Sequence, residues 1–385
     1  MKKIAILGST GSIGINTLKV IESLGDDYKV VGLAARENIG LIIKQIKKFH
    51  PLAVALTDEK AAAKLKKQMA GAKVKIYSGL EGVKKVATLP EADIVVSAMV
   101  GAAGLIPTLE AIRHNKTIAL ANKEVLVMAG EIIIREAKAR KVAILPVDSE
   151  HSAIFQCLKN ENIDSVNKLI LTASGGPFYK WSSRKLKTVT VSQALNHPTW
   201  NMGRKITVDS ATLLNKGFEI IEAHHLFGIE VKRIEVLIHP QSTVHSMVEF
   251  VDGSVLAQLG VTDMRLPIQY ALSYPERQER IVRRLSFAKI SELNFFRPDF
   301  EKFPLLKIAC QTAGIGGTLP AVLNAADETA VESFLAGGIK FMDIYKLIRR
   351  VLDRHKLIKS PSLEEILDAD RWARVITKEE ACSRR

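Results

Sequence analysis

The stretch that decides the fold is KIAILGSTGSIGINTLKVI, residues 3–21. It opens with an apolar run typical of a buried strand and ends with apolar residues at helical spacing. Between the two lie Gly8, Gly11 and Gly14. Glycines at a strand–helix turn let backbone N–H groups approach a pyrophosphate, and the helix N-terminus adds partial positive charge. The stretch therefore predicts a dinucleotide-binding turn, with a plain tight turn as the alternative.

Around this turn, short apolar runs alternate with helical stretches through residues 1–150. Such alternation predicts a Rossmann-like domain, in which a parallel sheet has helices on both faces. The predicted strands are 3–7, 29–35, 52–56, 93–98, 117–121 and 142–146. The predicted helices are 13–23, 38–49, 58–70, 103–114 and 123–140.

The pattern changes after residue 150. Closely spaced strand-like runs predict a second sheet, mixed or antiparallel, with helices against it, at 168–173, 233–239, 243–250 and 254–260. Later apolar spacing predicts a C-terminal α-helical bundle, with helices at 304–314, 319–335, 339–356 and 362–381. The predicted organisation is α/β: a cofactor domain at 1–148, a central α+β catalytic domain at 149–275, a charged linker at 276–303 and the bundle at 304–385.

The composition of the chain limits the classes of protein to which it can belong. The chain has 385 residues, 47% hydrophobic and 25% charged, so it can bury a substantial core. It has no apolar run of the length that a membrane span needs, and its three cysteines are too far apart for a zinc pattern or a disulfide framework. A reducing cytoplasm is the expected compartment. The net charge of +14 predicts either a solubilising surface or attraction of anionic ligands, and without a basic recognition motif we expect no nucleic-acid partner.

The stretch GLAAREN, residues 32–38, bears on the choice of cofactor. NAD-preferring folds carry an acidic residue at the end of the second strand, where it binds the ribose 2′-OH. Arg36 stands there instead, and a guanidinium suits a 2′-phosphate. Although Glu37 is adjacent, we expect NADP to be preferred over NAD.

Two carboxylates follow a predicted strand in ILPVDSEHSAIFQ, residues 144–156. Asp148 and Glu150 flank a single serine, and the stretch is either a polar loop or part of a site. If these two acids converge with a third, Glu219, their mutual repulsion requires a divalent cation. Ligands that are all oxygen favour Mg²⁺ or Mn²⁺ over zinc.

A second polar region lies in GRKITVDSATLLNKGFEIIEAHHLFG, residues 203–228. Asp209 or Ser210 is predicted to cap a helix that runs to about Phe227 and ends at Gly228.

On that helix, Asn215 and Lys216 lie four and three residues before Glu219, which puts the three side chains on neighbouring positions. Lys216 can hold a phosphate as a point charge, and Asn215 and Ser210 can add directional hydrogen bonds. The alternative is a surface Lys–Glu pair.

Two loops carry further polar groups. In TASGGPF, residues 172–178, Ser174 and two glycines could meet an anion or simply form a turn. In NHPTWNMG, residues 196–203, Trp200 and Met202 either tuck into the core or belong to a lid that excludes water from a ligand.

Together these segments resemble the 1-deoxy-D-xylulose 5-phosphate reductoisomerase family, in order and over nearly the whole chain. The motifs that carry the resemblance are GSTGSIG (8–14), AMVGAAGL (98–105), LANKE (120–124), PVDSEHSAIFQ (146–156), TASGGPF (172–178), HPTWNMG (197–203), VDSATLLNKGFE (208–219), HPQSTVHSMVEF (239–250) and MRLPIQYAL (264–272).

The resemblance implies an NADP-dependent oxidoreductase of the non-mevalonate isoprenoid pathway. The family's enzymes rearrange 1-deoxy-D-xylulose 5-phosphate to a branched aldehyde and reduce it with NADPH to 2-C-methyl-D-erythritol 4-phosphate. They require a divalent metal, Mg²⁺, Mn²⁺ or Co²⁺. The resemblance also implies a cytoplasmic homodimer that acts on a small phosphosugar, without nucleic-acid or membrane partners.

The resemblance also implies the site residues. The catalytic residues are Lys123, Asp148, Glu150 and Glu219, of which the three acids are metal ligands. The substrate-binding residues are Ser149, Glu150, Ser174, His197, Trp200, Ser210, Asn215, Lys216 and Glu219. The cofactor-binding residues are Gly8, Thr10, Gly11, Ser12, Ile13, Arg36, Asn38, Asn122, Lys123, Glu124 and Gly203.

Two alternatives use some of the same features. A semialdehyde dehydrogenase also combines a glycine turn with a second mixed domain, but its chemistry needs a cysteine nucleophile. The cysteine in the right region is Cys157, which follows Ile154 at helical spacing and is therefore expected to pack in the core. A non-catalytic NADPH-binding regulator would need the turn at 8–14 without the acids and the phosphate helix.

Overall fold

A computed structural model describes residues 1–200 and 202–382. These residues form two compact units whose segments interleave along the chain. The first unit comprises Met1–Val125, Ile132–Ser152 and Asp263–Arg283. The second comprises Leu126–Glu131, Ala153–Thr262 and the chain from Arg284 onward.

The first unit is built on a seven-stranded sheet in which every pair of neighbouring strands is parallel. Its strands are β1 (Lys2–Leu7), β2 (Tyr28–Ala35), β3 (Ala53–Leu56), β4 (Lys75–Ser78), β5 (Ile94–Ser97), β6 (Thr117–Leu120) and β7 (Ile144–Pro146). The strand order is β4-β3-β2-β1-β5-β6-β7, so the direction of winding reverses between β1 and β5. Doubly wound sheets bind ligands at this reversal, at the carboxyl ends of the strands.

The helices described in residues 1–200 and 202–382 are α1 (Ser12–Leu24), α2 (Ile39–Phe49), α3 (Glu59–Gln68), α4 (Gly79–Ala87), α5 (Leu105–Arg113), α6 (Glu124–Arg140), α7 (Ser149–Cys157), α8 (Ser183–Leu186), α9 (Val191–Ala194), α10 (Arg204–Thr212), α11 (Leu214–Phe227), α12 (Arg265–Ser273), α13 (Pro304–Ile315), α14 (Leu319–Leu335), α15 (Phe341–Arg354) and α16 (Leu363–Cys382).

The predicted strands and helices of the first domain are confirmed within about three residues at their ends, as expected for such boundaries. The strand β4 and the following helix α4 were not predicted from the sequence. The strand β4 lies at the sheet edge and is only half-buried or exposed. An edge strand pairs on one side only and is more exposed to solvent, so its sequence lacks the continuous apolar run of a buried strand.

The second unit contains a four-stranded sheet of β8 (Val166–Ala173), β9 (Ile234–Ile238), β10 (Val244–Phe250) and β11 (Val255–Leu259). The order is β11-β10-β8-β9. β10 pairs antiparallel with both of its neighbours, whereas β8 and β9 are parallel. The prediction of a second, mixed sheet is therefore confirmed.

The C-terminal helices form as predicted and share one hydrophobic core with this sheet. Phe178, which follows β8, stacks edge-on against Phe341 of α15, with ring centroids 5.4 Å apart. Phe341 in turn packs against Phe334 of α14. All three rings are buried in a continuous cluster that also includes sheet residues such as Leu171. The bundle thus supplies the support on which the sheet and its loops rest.

The prediction of one helix capped near residue 210 is wrong. Two helices, α10 and α11, meet at Leu213, whose φ of 61° is left-handed and ends α10. Asp209 and Ser210 therefore lie in the last turns of α10 rather than at an N-cap. A left-handed leucine is costly, and sequence propensity gives no signal for it. The predicted stop at Gly228 is confirmed, with a φ of 68°.

Helix α12 belongs to the first unit, although the predicted boundaries group it with the catalytic domain. Lys2 Nζ donates to the carbonyls of Leu272 and Tyr274, each at 3.0 Å, and thereby ties the start of β1 to the end of α12. The predicted domains are continuous segments of the chain, whereas each compact unit combines several separate segments. The limits of the predicted functional domains therefore stay a prediction. Among the described residues, no helix combines the length and apolarity that crossing a membrane requires.

Candidate functional site

The glycine turn follows β1, at the position where the strand order reverses. Gly8 has a φ of 95°, and a Cβ there would lie 2.3 Å from the carbonyl oxygen of Ala98, just past β5. A Cβ at Gly14 would lie 2.3 Å from the Gly8 oxygen. Only glycine fits these two positions, because any side chain would overlap the backbone. The turn is therefore built for close backbone packing at the ligand edge of the sheet.

The turn leads directly into α1. Gly11 is the N-cap and has no side chain with which to cap the helix. The first backbone N–H groups of a helix lack intrahelical acceptors and attract anions. Thr10 is half-buried beside them, and Ser12 is exposed. This arrangement suits a pyrophosphate bound at the N-terminus of α1.

A buried glutamine that was not predicted from the sequence holds the turn in place. Gln45 on α2 accepts a hydrogen bond from Ser9 Oγ and donates one to the Ser9 carbonyl, both at 2.8 Å. This pair directs the Ser9 side chain into the protein. The sequence feature that could have indicated Gln45 is its place beside Ile46 on the apolar face of α2.

Arg36 is exposed just past β2, beside the glycine turn. The backbone N–H groups of Gly8 and Ser9 both donate to the Ala34 carbonyl at 2.8 Å, which fixes the turn against the end of β2. Asn38 caps α2, because its Oδ1 accepts from the Leu41 N–H at 3.0 Å. The sequence-predicted residues Arg36 and Asn38 thus lie at the edge of the sheet where the turn lies.

Asn122 follows β6 and is buried. Its Nδ2 donates to the carbonyls of Met99 and Gly101 in the loop after β5. Its Oδ1 is buried and finds no hydrogen-bond partner in residues 1–200 and 202–382. A buried acceptor without a donor is costly, so this oxygen suits a donor group from a bound ligand.

The buried Lys123 and the half-buried Asp148 form an ion pair, with Lys123 Nζ 2.5 Å from Asp148 Oδ2. Their side chains are 6% and 14% exposed. Asp148 directly precedes α7, and Ser149 Oγ on its first turn donates to Glu150 Oε2 at 2.5 Å. The acids therefore lie at the start of a helix after β7, rather than in a polar loop. Glu124 begins α6 next to Lys123.

In the second unit, two serine hydroxyls converge on one histidine. His197 Nε2 lies 2.9 Å from Ser174 Oγ and 3.1 Å from Ser210 Oγ. The backbone N–H of Trp200 donates to His197 Nδ1 at 3.0 Å. Burial lowers the pKa of His197 to about 4. The imidazole is therefore neutral at pH 7 and carries its proton on Nε2, which faces the hydroxyls.

The glycines after β8 make room for this cluster. Gly176 has a φ of 64°, and a Cβ there would lie 2.6 Å from the Ser210 carbonyl oxygen. Its backbone N–H donates to Ser174 Oγ at 3.2 Å. The turn thus brings the end of β8 against α10, with hydroxyl, imidazole and amide hydrogen-bonding groups in one place. Such a set matches the acceptors of a phosphate.

Asn215, Lys216 and Glu219 are in contact on α11, which confirms the predicted spacing. Asn215 Nδ2 and Lys216 Nζ each donate to a different oxygen of Glu219. Lys216 and Glu219 are 3% and 1% exposed. The alternative of a surface Lys–Glu pair is therefore wrong. Charges are buried at such cost that a functional role is the better explanation.

The loop before α10 places Trp200 partly buried, with its ring centroid 6.4 Å from that of His245. Met202 is also half-buried, and Gly203 is the exposed N-cap of α10. Asn201, within the predicted lid, lies outside the described residues. Partial burial of Trp200 fits either core packing or a lid over a ligand.

Cys157 ends α7 and is buried. Burial raises its thiol pKa to about 11. Nucleophilic cysteines need a lowered pKa, since the thiolate is the reactive form. The geometry therefore opposes the semialdehyde dehydrogenase alternative.

Family models match most of the chain. The model described as 1-deoxy-D-xylulose 5-phosphate reductoisomerase matches residues 4–130, the model of that enzyme's C-terminal domain matches 144–227, and a DXP reductoisomerase C-terminal domain model matches 259–376. The chain belongs to the 1-deoxy-D-xylulose 5-phosphate reductoisomerase family. The resemblance inferred from the motifs is thereby confirmed.

Reductoisomerases from several bacteria align with the full chain. That of Thermodesulfovibrio yellowstonii is 53% identical over 380 residues, covering 99% of each chain. That of Chlorobium chlorochromatii is 52% identical over 378 residues, covering 98% of this chain and 99% of the other.

Solved reductoisomerase structures share the fold. The Zymomonas mobilis enzyme in complex with NADPH has a TM-score of 0.92 and 43% identity, with 99% of each chain covered. A DOX-P reductoisomerase in complex with NADPH, fosmidomycin and magnesium has a TM-score of 0.93 and 40% identity, with 99% of this chain and 98% of the other covered. The predicted fold class is thus confirmed.

Proposed function

We propose that this protein converts 1-deoxy-D-xylulose 5-phosphate to 2-C-methyl-D-erythritol 4-phosphate, using NADPH and a divalent metal, in the non-mevalonate isoprenoid pathway. The observation that carries the proposal is family membership over the whole chain, at 53% identity to a reductoisomerase. The polar groups of each unit suit the ligands of this reaction.

The first unit fits NADPH. The uncapped N-terminus of α1 suits the pyrophosphate, Arg36 suits the 2′-phosphate, and the buried Asn122 Oδ1 suits an N–H donor such as a carboxamide. When bound, NADPH supplies the hydride that reduces the aldehyde. The remaining contacts are Gly8, Thr10, Gly11, Ser12, Ile13, Asn38, Lys123, Glu124 and Gly203.

Asp148, Glu150 and Glu219 are the metal ligands. Their donor atoms are all carboxylate oxygens, which suit Mg²⁺, Mn²⁺ or Co²⁺. Each carboxylate is already oriented by a neighbour, because Lys123, Ser149 and Lys216 hold one apiece. A bound divalent ion polarises the carbonyl and hydroxyl oxygens of the substrate.

The substrate phosphate lies among Ser174, His197, Ser210, Asn215 and Lys216. The neutral imidazole and the hydroxyls supply directional hydrogen bonds, and Lys216 supplies the charge. Since Lys216 also contacts Glu219, its ammonium links the phosphate residues to a metal ligand.

Lys123 and Ser149 orient the substrate hydroxyl groups, and Trp200 packs over the substrate to exclude water. Lys123 is held by Asp148 at 2.5 Å, so its ammonium is positioned before any ligand binds. Such prior positioning reduces the entropy lost on binding.

The protein acts as a cytoplasmic homodimer. The exposed edge strand β11 supports the dimer, because an apolar strand edge can pair with another chain. Val255 and Leu256 on this strand are 46% and 43% exposed. Sedimentation should give twice the 42.4 kDa chain mass. A particle of the single-chain mass at micromolar concentration would contradict the dimer.

The activity is tested by following NADPH absorbance after adding 1-deoxy-D-xylulose 5-phosphate and Mg²⁺ or Mn²⁺. We expect oxidation of NADPH that needs both the substrate and the metal. A non-catalytic NADPH-binding regulator would bind the cofactor without consuming it, so the absence of turnover would refute the proposal.

Replacing Lys216 with alanine is expected to raise KM for the phosphosugar by about 10- to 100-fold, because a charge-assisted hydrogen bond to the phosphate is lost. Steady-state kinetics measures the effect. Lys232→Ala is the matched control, since Lys232 is 78% exposed and pairs with the exposed Glu230. An unchanged KM in Lys216→Ala would contradict the phosphate role.

Replacing Cys157 with alanine should leave kcat within about twofold of the wild type, because the thiol is buried and protonated. The same NADPH assay measures it, alongside circular dichroism to check folding. Loss of turnover in a folded Cys157→Ala protein would favour the cysteine chemistry of a dehydrogenase.

Replacing Arg36 with alanine should lower kcat/KM for NADPH by about tenfold while leaving that for NADH unchanged, since only NADPH carries the 2′-phosphate. Parallel kinetics with the two cofactors measures the ratio. Lys60→Ala, at an exposed position on α3, is the control. An equal loss with both cofactors would remove Arg36 from 2′-phosphate recognition.

A further inference from the structure

A half-buried lysine on α10 pairs with two buried carboxylates. Lys205 Nζ is 2.7 Å from Asp209 Oδ2, one turn later on the same helix, and 2.7 Å from Asp327 Oδ2 on α14. The side chains of Lys205, Asp209 and Asp327 are 18%, 3% and 1% exposed. None of the three residues has a role in the proposed function.

The cluster connects three helices of the second unit. Besides its two carboxylate contacts, the Lys205 ammonium lies 4.8 Å from the ring centroid of Phe218 on α11. Burial raises the pKa of Asp327, and the neighbouring Lys205 opposes that rise. The two carboxylates can therefore lie together here because the lysine compensates their charge, which makes Lys205 the centre of the cluster.

Helix α10 has no side-chain cap at its N-terminus, and in its last turn Thr212 Oγ1 donates to the Asp209 carbonyl at 3.1 Å. It begins at the exposed N-cap Gly203 and ends at the left-handed Leu213. Ser210 follows Asp209 directly, and its hydroxyl lies 3.1 Å from His197 Nε2. The direction of the Ser210 side chain thus depends on how α10 is held against α14.

We propose that Lys205, Asp209 and Asp327 form a positioning triad that anchors α10 and so places the Ser210 hydroxyl for the substrate phosphate. The inference rests on the proposed function, because it assigns Ser210 to the phosphate. The three residues do not touch the substrate and act through Ser210.

Two variants weaken the triad in different ways. Lys205→Met removes the cation from between two acids, and Asp327→Asn keeps the shape of the side chain while removing one charge. We expect KM for 1-deoxy-D-xylulose 5-phosphate to rise by about tenfold in each, with KM for NADPH unchanged. Lys205→Arg, which retains the cation, should recover most of the loss.

Glu328→Gln is the matched control. Glu328 is the next residue on α14, but it pairs with Arg374 on α16 at 2.7 Å. This variant also breaks an ion pair of α14, but it keeps both carboxylate contacts of Lys205 in place. Its KM for the phosphosugar should equal that of the wild type.

The deciding experiment measures binding of inorganic phosphate by calorimetry, which needs no turnover. We expect Lys205→Met and Asp327→Asn to weaken phosphate binding by about tenfold, Glu328→Gln to leave it unchanged, and Lys205→Met to have no further effect in a Ser210→Ala background. Unchanged phosphate affinity, an equal loss in Glu328→Gln, or additive effects with Ser210→Ala would overturn the inference. A wild-type protein that binds phosphate but does not oxidise NADPH would instead refute the proposed function.

Discussion

Replacing Glu219 with glutamine is expected to lower kcat by about 10³-fold, because the change removes one anionic ligand from a proposed three-carboxylate metal site. Glutamine has nearly the shape of glutamate, so α11 should keep its fold. The loss should therefore appear in turnover and in metal affinity rather than in secondary structure. NADPH oxidation across a Mg²⁺ titration measures both quantities.

Glu219 also compensates the buried ammonium of Lys216, so the variant leaves that charge without its carboxylate. We expect lower thermal stability as well, and the phosphosugar or inorganic phosphate should restore part of it, because the phosphate provides Lys216 with an anion. Glu230→Gln is the control, since Glu230 is 63% exposed. Wild-type turnover and metal affinity in Glu219→Gln would remove this residue from the metal site.

Replacing Lys123 with methionine should lower kcat by about 10²-fold, because the substrate loses a positioned ammonium. It should also lower the free energy of unfolding of the metal-free protein, because Asp148 loses the ammonium that pairs with it. Asp148 is the partner left behind. Denaturant unfolding and steady-state kinetics measure the two effects.

These effects should separate when metal is added. A divalent cation bound by Asp148 would compensate its charge, so Mg²⁺ should recover the stability of Lys123→Met without recovering kcat. Lys138→Met, at an exposed position on α6, is the control and should match the wild type. If kcat recovered together with stability, Lys123 would be a structural partner of Asp148 and not a catalytic residue.

The first unit was predictable because its signals are local. The run from Ile4 to Leu7 is apolar, the glycines mark the turn, and α1 has the spacing of a helix. Position 8 requires glycine because a side chain there would overlap Ala98, and the positive φ of the turn favours glycine as well. Repetition of this unit along the chain then implied the parallel sheet.

The features that were missed depend on contacts between distant parts of the chain. The break at Leu213 lies where α10 and α11 meet, and a leucine gives no local hint of it. Gln45 and Asp327 have their roles only because Ser9 and Lys205 reach them in the folded protein. Their sequence neighbours alone mark them as ordinary helix residues.

Separate segments of the site were predicted from local sequence, and the family resemblance implied the roles of their residues. Spacing on one helix correctly put Asn215 and Lys216 beside Glu219. No spacing rule brings Ser174 and Ser210 to the same nitrogen of His197, since that arrangement depends on the turn at Gly176, which packs against Ser210. The residue types and their spacing predicted an anionic ligand and a divalent metal, whereas the rearrangement of the substrate was implied only by the family resemblance.

The most direct test of the central claim is analysis of the product formed by metal-stripped protein given 1-deoxy-D-xylulose 5-phosphate and NADPH, with and without Mg²⁺. We predict that NMR will detect 2-C-methyl-D-erythritol 4-phosphate in an amount equal to the NADPH consumed when Mg²⁺ is present, and none when it is withheld. NADPH consumption without this branched product, or the same yield in the presence of a chelator, would contradict the account.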